Sequence, residues 1–286
     1  MPITNAISVD VEDYFQVSAF EHNIDRNNWD SLEHRVARNM DRLFDIFSDS
    51  NVKVTFFILG WVAERYPDIV KKIIENGHEL ASHGYGHQRV SDLTREQFLE
   101  DLILSKKILE DISGCQVKGY RAPSYSIGEK NIWALEVLAE TGHIYSSSIY
   151  PIQHDHYGYP EAPRFAFRDE KTGLIEIPIT TMKLFSRLFP AGGGGFFRFY
   201  PYPVSRWAIK RVNETDKEST VFYLHPWEID PGQPRQKNIS RKTNFRHYLN
   251  LDKTELRLRQ LLTDFKWGRV DDVFINNQQI PDYRLS

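Results

Sequence analysis

Four groups of residues in this chain have the types and spacing that hydrolytic chemistry needs. Asp10, Glu12 and Asp13 place three carboxylates within four positions, His83 and His87 stand four apart in SHGYGH, Arg121 opens RAPSYS, and His225 follows the apolar run VFYL. Two imidazoles at that spacing reach one ion from a helical turn or from a tight loop, and the glycines between them favour the loop. With one carboxylate added, three protein ligands hold a divalent ion and leave positions open for water and substrate. A second carboxylate must then take a proton from that water, and the acidic triplet can supply both. Spacing does not say which acid binds and which acts as base. His225 is either a satisfied core histidine at a strand end or a general acid for the leaving group.

Elements of alternating type must bring these groups together. Ala6 to Val11 reads as a first strand, and from Ser31 the residues Leu32, Val36, Met40, Leu43 and Phe47 mark one helix face. Val54 to Leu59 reads as a second strand, followed by a helix carrying Ile69, Val70, Ile73 and Ile74 up to Gly77. His78 to Ser82 is a third strand; Thr94 then opens a helix with Gln97 as its capping-box partner and Gly114 at its end. Val117 to Tyr120 and the helix Glu129 to Thr141 continue the rhythm, and Leu174 to Ile179 and Val221 to Leu224 are later strands. Helices are expected near Val204 to Asn213 and Lys253 to Phe265. Strands separated by helices give a parallel sheet with crossovers, and in a parallel barrel every strand's carboxyl end opens on one face. Each chemical group above sits at such an end.

From 150 to 203 the rhythm fails: HDHYGYPEAPR, a Gly192 to Gly195 run and FFRFYPYP predict a loop-rich excursion with aromatic residues suited to sugar contact. Tyr14, Phe15, Phe196, Tyr200 and Trp227 can each stack on a sugar or lie in the core. A net charge of −3 with interspersed signs shows no whole-chain footprint for nucleic acid or an anionic membrane. The lone Cys115 excludes an intrachain disulfide and every cysteine-based zinc pattern. The start MPITNAISVDVEDYF lacks a basic segment followed by an apolar run, and no apolar stretch has the length of a membrane span, so a cytoplasmic location is expected.

Taken in order, SVDVED, SHGYGH, RAPSYS and the late LHP resemble the motif series of the NodB-homology polysaccharide deacetylases, carbohydrate esterase family 4. Asp10 to Phe15, Gly193 to Arg198 and His225 to Glu228 look most like the exopolysaccharide deacetylase branch with a DVED(Y/W)F start. The resemblance covers residues 1–286 as one α/β domain, a distorted (β/α)7-type barrel, with 226–286 as a family-specific C-terminal part. It implies a divalent ion, Zn²⁺ foremost with Co²⁺ or Ni²⁺ as substitutes, and hydrolysis of the acetamide on N-acetylhexosamine units of a surface polysaccharide or its precursor. By position, Asp10 matches the catalytic base, Arg121 the residue that orients it, and His225 the catalytic acid. His83 and His87 match metal ligands, with Asp13 as third ligand and Glu12 as its alternative, and Ser124, Tyr125 and Trp227 fall where substrate is bound. The chain departs from the pattern at two points. Valine and glutamate separate Asp10 from Asp13, and Ser146 stands where an acid pairs with the catalytic histidine, leaving Glu228 or another acid to do so. Other readings are a non-catalytic carbohydrate-binding scaffold on this fold, for which Ser146 speaks, and an O-acetyl esterase using the same metal-bound water.

Overall fold

The computed structural model describes residues 2–153, 158–276 and 279–285. Its strands are β1 (Thr4–Val11), β2 (Thr55–Ile58), β3 (Glu79–Ser82), β4 (Gly119–Tyr120), β5 (Tyr145–Ser146), β6 (Phe167–Asp169), β7 (Ile175–Glu176), β8 (Thr181–Leu184), β9 (Arg187–Pro190), β10 (Val221–Leu224), β11 (Lys266–Gly268) and β12 (Asp282–Tyr283). Its helices are α1 (Val36–Asp49), α2 (Gly60–Arg65), α3 (Pro67–Glu75), α4 (Arg95–Ser113), α5 (Ala134–Glu140), α6 (Gly194–Phe199), α7 (Tyr202–Arg211), α8 (Arg241–Tyr248) and α9 (Leu251–Asp264).

Seven strands run parallel in the order β10-β1-β2-β3-β4-β5-β7. The antiparallel β6 extends the sheet beyond β7, followed by β12, and β11 lies beside Thr4 to Ala6 of β1. The parallel sheet is covered by crossover helices, which is why β1 and β2 are buried on both faces and read as nearly unbroken apolar runs. Side chains along β1 alternate between two cores. Ile7, Val9 and Val11 join Met40, Leu43 and Phe47 of α1 and Leu258 of α9, whereas Ala6 joins Phe57, Ala81, Tyr145, Ile177 and Tyr223 inside the curl. By the same alternation Ser8 and Asp10 face inward with Ala6.

The curl closes without a regular ladder. Ala191 N–H donates to the Thr180 carbonyl (3.0 Å) and Tyr223 N–H to the Gly192 carbonyl (2.7 Å), so residues 179–193 stitch the β7 side to β10. The glycine run is therefore structural: at Gly193, with φ of 112°, a Cβ would stand 2.1 Å from the Tyr223 carbonyl oxygen. The stretch 150–203 is thus more ordered than its sequence implies, holding β6, β7, the β8–β9 hairpin and α6. These elements are too short for a period to register. The HDHY part of that stretch lies outside the described residues.

Local signals held where they were local. Thr94 and Gln97 form the capping box of α4, and Gly114 ends it at φ 66°. Helix α1, expected from Ser31, instead begins at Val36. Its leading amides are capped from a distance by Asp13, whose Oδ2 accepts from Arg35 N–H (2.6 Å) and Val36 N–H (2.9 Å). A cap 22 residues upstream leaves no trace in the helix's own sequence.

Candidate active site

Inside the curl, Asp10 is anchored by a guanidinium sealed from solvent. Arg121 is 0% exposed, and its Nη1 donates to Asp10 Oδ1 at 2.6 Å and to the Ser8 hydroxyl at 2.7 Å. Its Nε donates to the Ser147 carbonyl (3.1 Å) and its Nη2 to the Ser147 hydroxyl (3.0 Å), and the group lies 4.1 Å over the Phe57 ring. Ser148 and Ile149 N–H both donate to Glu176 Oε1 at 2.8 Å, and the Ser148 hydroxyl accepts from the Ser146 hydroxyl (2.7 Å) and from Ala122 N–H (2.9 Å), in the turn after Arg121. Ser146 therefore belongs to the packing behind Arg121. The Tyr125 hydroxyl donates to Asp10 Oδ2 at 3.3 Å.

Glu12, His83 and His87 converge beside Asp10, with one ligand atom from each within 4.8 Å of the others. All three are buried. His83 Nδ1 donates to the Arg121 carbonyl at 2.8 Å, which fixes the tautomer and leaves Nε2 with its lone pair free. Burial pulls its pKa down to about 4, so the imidazole is neutral, the ligating form, at neutral pH. His87 Nε2 stands 2.8 Å from Glu12 Oε2, yet that oxygen has no hydrogen-bond partner among the described residues. An unpartnered buried carboxylate oxygen costs about 1–3 kcal/mol or more, and a cation between it and the two imidazoles removes that cost. The residues fit a divalent ion. Burial would raise the Glu12 pKa, but His87, His225 and His83 outweigh it and bring it to about 2.

The histidine loop is held from three sides. Gly60 N–H donates to the Gly84 carbonyl (2.8 Å), Trp61 N–H to the Tyr85 carbonyl (3.0 Å), and Tyr85 N–H to Asp101 Oδ1 (3.1 Å). His87 itself has φ of 52°, a left-handed turn that aims its ring back at Glu12.

Of the two acids expected as third ligand, the alternative, Glu12, stands with the imidazoles and Asp13 does not. Both Asp13 oxygens are occupied by amides, Oδ1 by Tyr14 N–H (2.8 Å) and Oδ2 by the start of α1. Trp227 is corrected as well. It is buried, donates its indole N–H to Glu12 Oε1 at 3.1 Å, and is stacked by His225 and His247 with centroids 5.1 and 4.3 Å away. It positions Glu12 and offers no face to a sugar. Tyr14 and Phe15 are likewise core, while Phe196 and Tyr200 are half-buried with rings 5.9 Å apart. Ser124 is half-buried at φ 56°, its hydroxyl 2.6 Å from that of Ser18.

His225 faces the two acids, with Nε2 3.7 Å from Glu12 Oε1 and 3.9 Å from Asp10 Oδ2. Its Nδ1 contacts Glu228 Oε1 at 2.6 Å, and Arg198 Nε donates to Glu228 Oε2 at 2.7 Å. Burial would lower the His225 pKa, but Glu12, Glu228 and Asp10 raise it to about 9. Glu228 is the acid that pairs with this histidine, and Arg198 holds it ionised against its burial. The roles of Arg198, Glu176 and His247 were not assigned from sequence. A cleft of about 780 Å³ lined by Ser18, Arg26, Asn27, Asn28 and Arg89 opens beside His87, within the size range of small-molecule sites.

Residues 28–144 match the family model for polysaccharide deacetylase, and residues 147–275 match a domain of unknown function, DUF3473. A peptidoglycan-N-acetylglucosamine deacetylase of Bacillus cereus is 34% identical over 96 residues, 33% of this chain and 35% of that protein. A peptidoglycan deacetylase of Helicobacter pylori is 31% identical over 108 residues, 38% of this chain and 36% of its own length. The chain thus spans about a third of the length of these curated relatives. A crystal structure from Mycobacterium smegmatis superposes with a TM-score of 0.64 at 17% identity, covering 100% of this chain and 94% of that one. The Puue allantoinase structure gives 0.56 at 13% identity, covering 95% and 88%. These likenesses show the fold. The boundary between the two matched segments runs through the barrel, with His83, His87 and Arg121 on one side and Glu176, Arg198, His225 and Glu228 on the other. Over residues 28–144 the chain is thus similar to the polysaccharide deacetylases, and over 147–275 to a domain of unknown function.

Proposed function

We propose that the protein is a metal-dependent hydrolase that releases acetate from N-acetylhexosamine units of a bacterial polysaccharide. The observation that carries this reading is the convergence of Glu12, His83 and His87 on one point, with an Arg121-anchored Asp10 and His225 beside it. A divalent ion held there, Zn²⁺, Co²⁺ or Ni²⁺, supplies a water of pKa about 7 and polarises the acyl oxygen. Asp10, anchored by Arg121 at 2.6 Å, would take the proton of the attacking water. Protonated His225 donates from Nε2 to the departing nitrogen, while Nδ1 stays on Glu228. Ser124, whose hydroxyl is 2.6 Å from that of Ser18 in the cleft lining, would offer its backbone N–H to the acyl oxygen. The curated relatives' named substrates, and the polar cleft beside His87, support an N-acetylated glycan.

The test is acetate release from N-acetylglucosamine oligomers by protein stripped with a chelator and then reloaded with each ion. Release that disappears on stripping and returns with metal is expected; metal uptake with release only from O-acetylated glycans would assign an esterase instead, and uptake with no release from either would favour a binding scaffold.

The pH dependence follows from the pair His225 and Glu228. The acid must be protonated to donate, so kcat/KM falls as pH rises through a His225 pKa lifted to about 9. Glu228→Gln removes one of the charges that raise it, and the alkaline limb should move down by about 1–3 pH units. A pH profile with an unmoved alkaline limb would place the catalytic proton elsewhere.

A further inference from the structure

Phe185, at the tip of the β8–β9 hairpin, is placed where neither folding nor turn chemistry selects it. It is 90% exposed, the most exposed large apolar side chain among the described residues. Leu184 pairs with Arg187, so Phe185 and Ser186 form a two-residue turn, and Phe185 has φ of 54°. That position favours glycine, and a bulky side chain there strains the backbone.

The stretch of chain that carries it has charge of one sign, with Asp264 and Glu214 among the acids that meet it. From Ile177 to Asn213 there is no Asp or Glu, while Lys183, Arg187, Arg198, Arg206, Lys210 and Arg211 supply six cations. Arg198 is buried on Glu228, Arg206 pairs with Asp264 (2.8 Å) and Lys210 with Glu214 (3.5 Å). Lys183, Arg187 and Arg211 have no ion-pair partner among the described residues. The hairpin and α7 form one outer surface. Met182 packs on Ala208 and Val212 beneath it, and Arg211 Nε donates to the Lys183 carbonyl at 3.3 Å. One turn back along α7, Trp207 is 43% exposed.

We propose that the hairpin tip and the outer face of α7 dock on an anionic lipid bilayer. Phe185 and Trp207 enter the headgroup boundary, and Lys183, Arg187, Lys210 and Arg211 meet the lipid phosphates. A bilayer suits a protruding apolar side chain flanked by cations, because it needs no shape complementary to the tip; a sugar hydroxyl gains no hydrogen bond from a phenylalanine. The whole-chain charge of −3 averages this patch away. No helix among the described residues is long and apolar enough to cross a membrane, so the attachment is peripheral. The proposal stands independently of the deacetylase reading.

Co-sedimentation of the full chain with phosphatidylglycerol/phosphatidylcholine vesicles and with pure phosphatidylcholine vesicles tests it. Binding is expected on the anionic vesicles alone and should weaken with salt. Lys183→Glu with Arg187→Glu should lower it by at least about 25-fold, at about fivefold per lost cation. Phe185→Gly should lower it about tenfold while raising Tm, because glycine relieves the turn; a purely structural role for Phe185 predicts a fall in Tm instead. Acetate release from a soluble oligomer should be unchanged in both variants. No binding to anionic vesicles, equal binding to neutral ones, or preference for a soluble acidic glycan or for a second copy in sedimentation velocity overturns the proposal.

Discussion

Asp10→Asn should keep the bound metal and lose about 10²–10⁴ of turnover. Asparagine retains the shape of the side chain and can still present an oxygen to Arg121 Nη1, so the 2.6 Å contact and the interior packing have a substitute. It has no basic oxygen for the proton of the attacking water. Glu12, His83 and His87 are untouched, so metal content measured by plasma emission should match the parent. The two readouts separate the roles. Unchanged turnover removes Asp10 from the chemistry, and loss of metal along with turnover makes it a ligand.

Adjacent acids in one short turn should respond in opposite ways. Glu12→Ala is expected to lower metal affinity by more than about 100-fold, beyond what loss of a supporting partner costs, and to abolish acetate release. Asp13→Ala should leave the metal in place and destabilise the fold by about 1–2 kcal/mol, because the start of α1 loses its cap. Thermal unfolding with metal analysis of both proteins decides the matter. Metal lost from Asp13→Ala with an unchanged Tm would reverse the assignment.

The contrast also shows what could be read from the sequence. Asp10 and Glu12 are two apart and so share the inward side of the strand and its exit, whereas Asp13 falls on the other parity and meets α1. Spacing alone offered three equivalent acids; strand direction separates them. His83, Arg121 and His225 could be singled out because each follows a short strand candidate, and His87 because it stands four residues after His83; parallel strands gather such ends at one rim. Trp227 was misread because an aromatic beside a catalytic group suits a sugar platform, and nothing in the sequence places His247 against its ring. The parallel order was legible from the alternation of runs and helical faces. The closure through Gly192 and Gly193 was not, because it depends on backbone groups meeting Tyr223 some 30 residues later.

The seam between residues 144 and 147 divides two separately matched segments, and the site draws on both. His83, His87 and Arg121 come from the earlier segment, His225, Glu228 and Arg198 from the later one, and Asp10 and Glu12 precede both. On the proposed roles, substitutions in the later segment would retune when the leaving group is protonated, and so adapt the protein to a different acidity, while His83 and His87 stay fixed. Changes around the histidine loop can likewise shift ion preference with the acid's surroundings unaltered. The indole of Trp227, reaching Glu12 at 3.1 Å, ties the later segment to the acid beside the two histidines, so a change there would bear on both properties together.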